Sequence, residues 1–308
     1  MHTSERPEAL IIRPPSEFRS MLIRSVRGCH WNRCKFCGLY PALGEPEFSI
    51  RPVADVKRDI DWCARRLSAC TAAFIGDSDP LFRPADETAA IIAHLKQRAP
   101  RLRRITAYAR ASTIRRLGPA DLRRCAHAGL SRVHIGLESG DPETLRFHKK
   151  GHTPATLSDA ARLCRECGIE MSAYVLLGLG GGDHWQRHID GTIAALKAMD
   201  PAFIRVRRLW LYGPEDGIDA AESPLLPDVR AGRFMPQAAE GTVLELRRLI
   251  AGLSGISSEF LCDHANNYLN VQGKLPGDRD SMLAEVDAFL ARPENEREKH
   301  YRSVGSTI

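Results

Sequence analysis

The 308-residue sequence has no long apolar run. A membrane-spanning helix needs about 20 predominantly apolar residues. No stretch of this chain approaches that length, so we expect no membrane partner. The first 20 residues carry Arg6, Arg13 and two adjacent prolines, and they lack the apolar segment of a secretory signal. We therefore expect a cytoplasmic location.

The sequence also lacks the features of a nucleic-acid-binding surface. Its net charge of +6 comes mostly from arginines scattered along the chain, with neither a basic tail nor interleaved aromatic residues. This pattern favours solvated helix faces. A disulfide framework is not expected either, because a chain of this length can bury a full core. Its nine cysteines therefore indicate a reducing compartment.

What is present is a short cysteine-rich loop. Cys29, Cys34 and Cys37 fall within nine residues, with the spacing C-x4-C-x2-C. Thiolates are soft ligands suited to zinc, copper(I) and iron–sulfur clusters. Three thiolates on one loop can hold three corners of a cubane cluster and leave the fourth iron open, whereas electron-transfer clusters use four cysteines. His30 lies between two of the cysteines and would supply a fourth ligand, so the loop alone also allows zinc.

Hydrophobic periodicity predicts six strands that alternate with helices. The predicted strands span residues 21–26, 72–75, 105–109, 133–136, 169–177 and 203–211. Such alternation is typical of an α/β fold with a parallel sheet and helical crossovers. Beyond Leu211 the alternation stops, and the pattern predicts amphipathic helices over residues 240–252 and 282–290. A charged tail from residue 292 is expected to fray.

Polar and glycine-rich segments follow the predicted strands. The cysteine loop follows the first, residues 76–80 the second, Arg110 and Ser112 the third, Glu138 the fourth and residues 178–182 the fifth. In a parallel α/β barrel these positions share the C-terminal face, where active sites lie. The sequence therefore predicts one cavity, surrounded by these loops, above the cysteines.

The cysteine loop resembles that of radical S-adenosylmethionine (SAM) enzymes, and Phe36 matches the aromatic residue before their last cysteine. Their usual spacing, C-x3-C-x2-C, is one residue shorter. The resemblance implies a [4Fe–4S] cluster on Cys29, Cys34 and Cys37 whose open iron chelates SAM. Reductive cleavage of SAM then gives a 5′-deoxyadenosyl radical that abstracts hydrogen from a substrate. A low-potential electron donor of the flavodoxin or ferredoxin type is implied as well.

The resemblance also implies an architecture. It predicts a lead-in over residues 1–20, a partial (β/α)6 TIM-type barrel over residues 21–214, and a C-terminal helical extension over residues 215–308 that covers the barrel opening. Within the superfamily the chain is similar to a single-domain subgroup related to the branch of tRNA methylthiotransferases and oxygen-independent coproporphyrinogen oxidases. That subgroup shares the lead-in motif at residues 13–17, the glycine loop at 178–181 and Asp263-His264.

The resemblance leaves the substrate open, and a small molecule is favoured over RNA. An RNA-modifying radical SAM enzyme is one alternative. A non-catalytic metal-binding or redox barrel protein is the other.

Several residues match positions that bind SAM in the family. They are Gly76, Asp77, Ser78, Asp79, Arg110, Ser112, Glu138, Gly178, Gly180 and Arg207. Residues 76–79 occupy the place of the Gly-Gly-Glu-Pro motif, whose backbone binds the SAM amino group. Residues 178–182 let the backbone approach the adenine; they are no dinucleotide fingerprint, because Asp183 stands where the third glycine is needed. Arg207 shares a strand face with Arg205 and would meet a carboxylate. Simple turns and solvent-facing arginines are the alternatives.

Glu138 and His264 are the predicted catalytic residues. A carboxylate in the position of Glu138 can accept hydrogen bonds from a ribose or an ammonium group. His264 belongs to the polar patch at residues 263–268. Because six strands do not close a barrel as eight do, this patch would cover the open side of the cavity next to the substrate. A patch that only makes turns is the alternative.

A second C-x2-C pair, Cys164 and Cys167, lies within a predicted helix. Free cysteine is among the most buried residue types, so we predict that both lie in the core. His184 and His188 are four residues apart on another helix, as metal ligands can be. No acidic partner completes that set, so ordinary helix-face histidines are predicted.

Overall fold

The computed structural model describes residues 6–10, 12–213 and 222–304. The predicted boundary between barrel and extension, at residue 214, lies outside the described residues. The division into lead-in, barrel and extension therefore stays a prediction. No helix within the described ranges combines the length and the apolar character needed to cross a bilayer.

All six predicted strands form, and the sheet is mostly parallel. The strands are β1 (Met21–Arg24), β2 (Val26–Arg27), β3 (Ser49–Ile50), β4 (Ala72–Gly76), β5 (Arg104–Ala109), β6 (Leu130–Glu138), β7 (Glu170–Leu177), β8 (Phe203–Arg208), β9 (Glu259–Cys262) and β10 (Val271–Lys274). Eight of them form one sheet in the order β1-β4-β5-β6-β7-β8-β9-β10, and β2 pairs with β3. Helices connect the successive parallel strands, which is the architecture of a partial (β/α) barrel.

The helices lie close to the predicted positions. They are α1 (Leu39–Ala42), α2 (Val53–Arg66), α3 (Ala85–Arg98), α4 (Ala111–Ala128), α5 (Pro142–Phe147), α6 (Pro154–Glu166), α7 (Gly181–Met199), α8 (Leu226–Arg230), α9 (Ala239–Gly252), α10 (Arg279–Leu290) and α11 (Glu294–Ser303). Helix α4 begins eight residues before the predicted start at Pro119, and a backbone kink at Gly118 (φ 65°) separates its two parts. Proline suits the first turn of the second part because its missing N–H is not needed there.

The C-terminal part differs from the prediction in two ways. Strand β9 pairs in parallel with β8, and β10 returns antiparallel to β9, so the sheet continues past the sixth predicted strand. These strands have only four residues each, too few for a clear alternation of apolar and polar side chains. The tail expected to fray instead forms α11, where Arg297 pairs with Glu240 at 3.0 Å.

The chain folds as two compact units. Unit 1 comprises residues 1–32, 39–135 and 162–171, and unit 2 comprises residues 33–38, 136–161 and 172–308. In unit 1, β1, β4 and β5 bury Ile23, Phe74 and Ile105, each at most 1% exposed. In unit 2, β8 and β9 bury Ile204 and Phe260, both fully.

Candidate functional site

In unit 1, the cysteine loop begins at a glycine that no other residue could replace without strain. Gly28 has a φ of 64°, and a Cβ there would overlap the Glu47 carbonyl oxygen. The Gly28 carbonyl accepts a hydrogen bond from Ser78 Oγ at 2.7 Å. Cys29 follows with a half-buried thiol, whose sulfur accepts the Asn32 N–H at 3.4 Å.

His30 is bound to the loop that follows β4. Its Nε2 lies 2.9 Å from Asp79 Oδ2, and the same oxygen accepts the Thr113 hydroxyl at 2.5 Å. The His30 ring also stacks on Phe82, with the ring centroids 4.1 Å apart. Asp79 therefore engages one ring nitrogen of His30, and a metal would bind through the other, Nδ1. The other carboxylate oxygen, Oδ1, is buried and has no hydrogen-bond partner among the described residues.

Asp77, from the same loop, also makes its contacts within the protein. Asp77 is fully buried and pairs with Arg24 at 2.7 Å. Arg24 in turn pairs with Glu8 and Glu45, each at 2.9 Å. Part of the loop backbone is engaged as well, because the Gly76 carbonyl accepts the Ser25 N–H and the Asp77 N–H donates to the Val26 carbonyl. A role of this backbone in binding SAM stays a prediction.

Arg110 and Ser112 lie at the start of α4. Arg110 immediately precedes the helix, and its guanidinium lies 4.7 Å from the centre of the Trp31 ring. Ser112 is exposed in the first turn. Unit 1 thus brings Arg110 to the cysteine loop through Trp31, but it shows no such contact for Ser112.

In unit 2, the rest of the cysteine loop is held from several directions. Cys34 and Cys37 are half-buried, and the Lys35 N–H donates to the His148 carbonyl at 3.0 Å. Lys35 Nζ pairs with Asp228 at 2.8 Å. A Cβ at Gly38 would meet the Tyr212 hydroxyl and a carbon of Pro224. Contacts at Lys35 and close packing at Gly38 therefore hold this segment of the loop in place.

Glu138 ends β6 in a left-handed backbone conformation, with a φ of 61°. A non-glycine residue seldom adopts this conformation, and such strain clusters at functional sites. Its carboxylate pairs with Lys150 at 2.9 Å, and Lys150 Nζ also lies 5.5 Å from the Phe36 ring centre. The pair links β6 to the cysteine loop. The sequence analysis missed Lys150, because its neighbours give no motif.

The glycine-rich loop after β7 is anchored by a buried acid from α9. Gly178 has a φ of 81°, and its N–H donates to Glu245 Oε2 at 2.6 Å. The other carboxylate oxygen accepts Gln237 Nε2 at 2.9 Å. Burial raises the pKa of Glu245 to about 7. Gly180 caps the start of α7, so both predicted glycines belong to one turn.

His188 is not the helix-face histidine that the sequence predicts. It is fully buried, with Nδ1 2.8 Å from Ser139 Oγ and Nε2 3.2 Å from the Leu176 carbonyl. Burial lowers the pKa of His188 to about 4. The ring therefore ties the segment after β6 to the end of β7. The sequence pattern of this helix does not predict that His188 makes these two contacts.

The polar patch at residues 263–268 connects β9 to β10. His264 Nδ1 lies 2.6 Å from Asn266 Oδ1, and Asn267 donates to the Val206 carbonyl at 2.8 Å. Asn267 also accepts the Arg208 N–H at 3.0 Å. Burial and the positive charge of Arg207 lower the pKa of His264. The patch thus anchors itself on β8, and a role of His264 at a substrate stays a prediction.

The nine cysteines fall into two environments. Five are buried, including Cys164 and Cys167 as predicted, and burial raises the pKa of Cys164 to about 12. Cys29, Cys34, Cys37 and Cys70 are partly exposed. Within the described ranges, no three Cys, His, Asp or Glu side chains are grouped as a single-ion site. Three accessible thiols on one loop fit the donor set of an iron–sulfur cluster.

Comparison with known families identifies the chain. The model of the radical SAM superfamily matches residues 23–190. The chain belongs to the radical SAM superfamily. This confirms the predicted family, and the mostly parallel sheet with its connecting helices confirms the predicted fold class. The subgroup stays a prediction.

Solved structures of other proteins share the fold. The methyltransferase TsrM from Kitasatospora setae, solved with cobalamin and a [4Fe–4S] cluster, has a TM-score of 0.51 at 22% identity. The match covers 63% of this chain and 38% of TsrM. Elp3 from the archaeon Methanocaldococcus infernus has a TM-score of 0.54 at 13% identity, covering 89% of this chain and 64% of that one. At these identities the likeness shows the fold alone. None of the curated proteins matches the chain.

Proposed function

We propose that the chain is a radical SAM enzyme in which Cys29, Cys34 and Cys37 hold a [4Fe–4S] cluster. The observation that carries this proposal is that these three thiols are partly exposed on one firmly held loop, whereas five of the other six are buried. When bound and reduced, the cluster supplies the electron that cleaves SAM, and the resulting radical takes hydrogen from a substrate. The protein supplies the ligands and the surroundings that bind SAM.

The loop after β4 would bind the amino end of SAM. The side chains of Asp77 and Ser78 hold this loop in place, and its backbone would face the ligand. Asp79 Oδ1 is a buried acceptor without a partner among the described residues, and a buried acceptor gains from a cationic donor. An ammonium group is such a donor.

The nucleoside end of SAM would meet loops from several strands. Gly178 and Gly180 allow close backbone approach to the adenine. Glu138 would accept hydrogen bonds from the ribose, with its carboxylate oriented by Lys150. Arg110 and Ser112 would complete this end from the start of α4.

The remaining predictions concern the substrate side and the partners. Arg207 would bind a carboxylate, and His264 would contact the substrate. The electron donor would be a low-potential protein of the flavodoxin or ferredoxin type in the cytoplasm. The segment from residue 215 onwards would cover the barrel opening.

A small molecule is favoured over RNA as the substrate. Binding RNA needs free basic groups that meet phosphates. Several exposed arginines in unit 2 are instead paired with acids, such as Arg248 with Asp190 at 2.7 Å and Arg247 with Asp287 at 2.5 Å. Paired arginines offer little positive potential to a phosphate backbone.

Cysteine variants test the proposal. After anaerobic reconstitution with iron and sulfide, changing Cys29, Cys34 or Cys37 to Ala is expected to abolish the iron-linked visible absorbance. Cys164→Ala is the matched control, because Cys164 is fully buried, and it is expected to keep the absorbance. If the Cys34 variant retained the full absorbance, the longer first gap would use a different ligand set.

A further inference from the structure

Strand β8 carries two arginines on one face. Its parallel register pairs Arg205 with Tyr174 and Arg207 with Leu176, and directly paired residues project from the same side of a sheet. The residues on either side of Arg205 are at most 1% exposed and form the opposite, apolar face. Arg205 itself is only 6% exposed, so most of its side chain is withdrawn from solvent.

Within the part of the chain that the structure describes, neither arginine has a carboxylate partner. The Nε of Arg205 is buried without a hydrogen-bond partner, and its guanidinium has only the Phe203 ring, 5.9 Å away. Arg207 lies 5.3 Å from the Tyr174 ring centre. Glu138 on β6 is paired with Lys150, and Glu259 on β9 is paired with Lys274.

Several other arginines of unit 2 are paired with acids although they are more exposed. Arg187 pairs with Asp141 at 3.0 Å, and Arg233 pairs with Asp228 at 2.7 Å. A buried charge without a counter-charge is strongly unfavourable, whereas an exposed one is not. Arg205 is the most buried arginine of unit 2, yet it has no counter-ion among the described residues. An external anion would remove this cost.

We propose that Arg205 and Arg207 form an anion-binding site for a carboxylate or phosphate group of a bound ligand. A guanidinium offers two parallel N–H donors that match the oxygens of these groups, and two arginines two residues apart on a strand can share one anion. The surroundings are positive as well: the charges of Arg207 and Arg208 help to lower the pKa of His264, beside the burial of that ring.

The proposal deepens the proposed function, because it names the ligand chemistry of the same site. Two sources share that chemistry, the carboxylate of SAM and an acidic group of the substrate. The site itself does not depend on the cluster, so it can be tested without one.

The test uses the full chain without a cluster and follows its melting temperature in sodium phosphate and in sodium acetate, each against sodium chloride at equal ionic strength. We expect at least one of the two anions to raise the melting temperature of the wild type by about 3 °C at a tenfold excess over its dissociation constant. Arg205→Met keeps the buried bulk and removes the charge. It is expected to abolish this response and, without anion, to melt higher than the wild type, because an uncompensated buried charge is gone.

Arg132→Met is the matched control, because Arg132 is also buried but pairs with Glu170 at 2.6 Å. Its melting temperature is expected to fall, and its anion response is expected to remain. Arg205→Lys keeps the charge without the paired donors, and its anion affinity is expected to fall about tenfold. A wild type that responds to neither anion, or an Arg205→Met variant that responds like the wild type, would overturn the proposal.

The source of the anion is decided by SAM binding to the reconstituted enzyme. If Arg205→Met loses the anion response and weakens SAM binding tenfold or more, the site holds the SAM carboxylate. If it loses the response and keeps SAM affinity, the site holds an acidic substrate group. Failure to reconstitute a cluster would count against the proposed function and would leave the anion result intact.

Discussion

Glu245 offers a quantitative test of how the glycine-rich loop is held. The change Glu245→Gln keeps an oxygen that can accept the Gly178 N–H, now 2.6 Å from Glu245 Oε2, but it removes the ionisable group. Burial holds the pKa of this carboxyl at about 7, against 4.5 for the exposed group. The folded protein therefore binds the Glu245 proton more tightly than the unfolded chain does.

The sign of the pH effect follows from this difference. Below pH 4.5 the carboxyl is protonated in both states and contributes no pH dependence. As the pH rises from 4.5 to 7, the unfolded chain gains stability relative to the folded one, because only the unfolded chain ionises freely. A difference of about 2.5 pKa units corresponds to about 3 kcal/mol of lost stability above pH 7.

The assay is the melting temperature of the variant minus that of the wild type at pH 5 and at pH 8, so that groups common to both proteins largely cancel. At pH 8 the variant is expected to gain up to about 3 kcal/mol from the missing ionisation, which is roughly 6 °C for a chain of this size. At pH 5 the gain should fall to about 1 kcal/mol or less. Glu285→Gln, at an exposed position on α10, is the control and should show no pH-dependent difference. Equal differences at both pH values would refute the reasoning.

Three further predictions concern other residues. Glu17 is fully buried beside His134; burial alone would raise its pKa, but hydrogen bonds from His134 and Ser20 lower it to about 2. Its contribution is present above pH 4.5 and is lost as the pH falls towards 2, so Glu17→Gln should cost about 3 kcal/mol at pH 7 and almost nothing at pH 2, measured by urea unfolding. Glu138→Ala should weaken SAM binding by roughly 1.5–3 kcal/mol in equilibrium dialysis without loss of iron, because a charge-assisted hydrogen bond is removed; an unchanged dissociation constant would exclude Glu138 from the site. His264→Ala should keep the cluster and SAM cleavage but yield deoxyadenosine with little product once the substrate is known, and wild-type turnover would show that the patch is only a turn.

The sequence predicted those features whose residues follow a regular or close spacing along the chain. Alternating apolar runs predicted the six strands. Most of the predicted site segments lie at the ends of these strands, and parallel strands end at the same face. The cysteine loop was recognisable because three ligands lie within nine residues. These features depend on near neighbours in the chain, so spacing reveals them.

The remaining features depend on contacts between distant residues. Glu245 contacts a loop 67 residues earlier, and His188 contacts Ser139 from 49 residues away. Nothing in the local pattern separates such groups from exposed residues of the same type. The lead-in is a further example: Glu17 meets His134 across 117 residues, so a polar segment that reads as a loose tail contributes a buried acid.

The cluster proposal is tested most directly by electron paramagnetic resonance of the anaerobically reconstituted and reduced enzyme, with and without SAM. A [4Fe–4S] cluster predicts about four iron and four sulfide per chain. Its three cysteine ligands leave one iron open to SAM. We also expect the spectrum of the reduced cluster to change when SAM is added. Bound zinc without iron would contradict the account, and so would an iron–sulfur signal that SAM leaves unchanged.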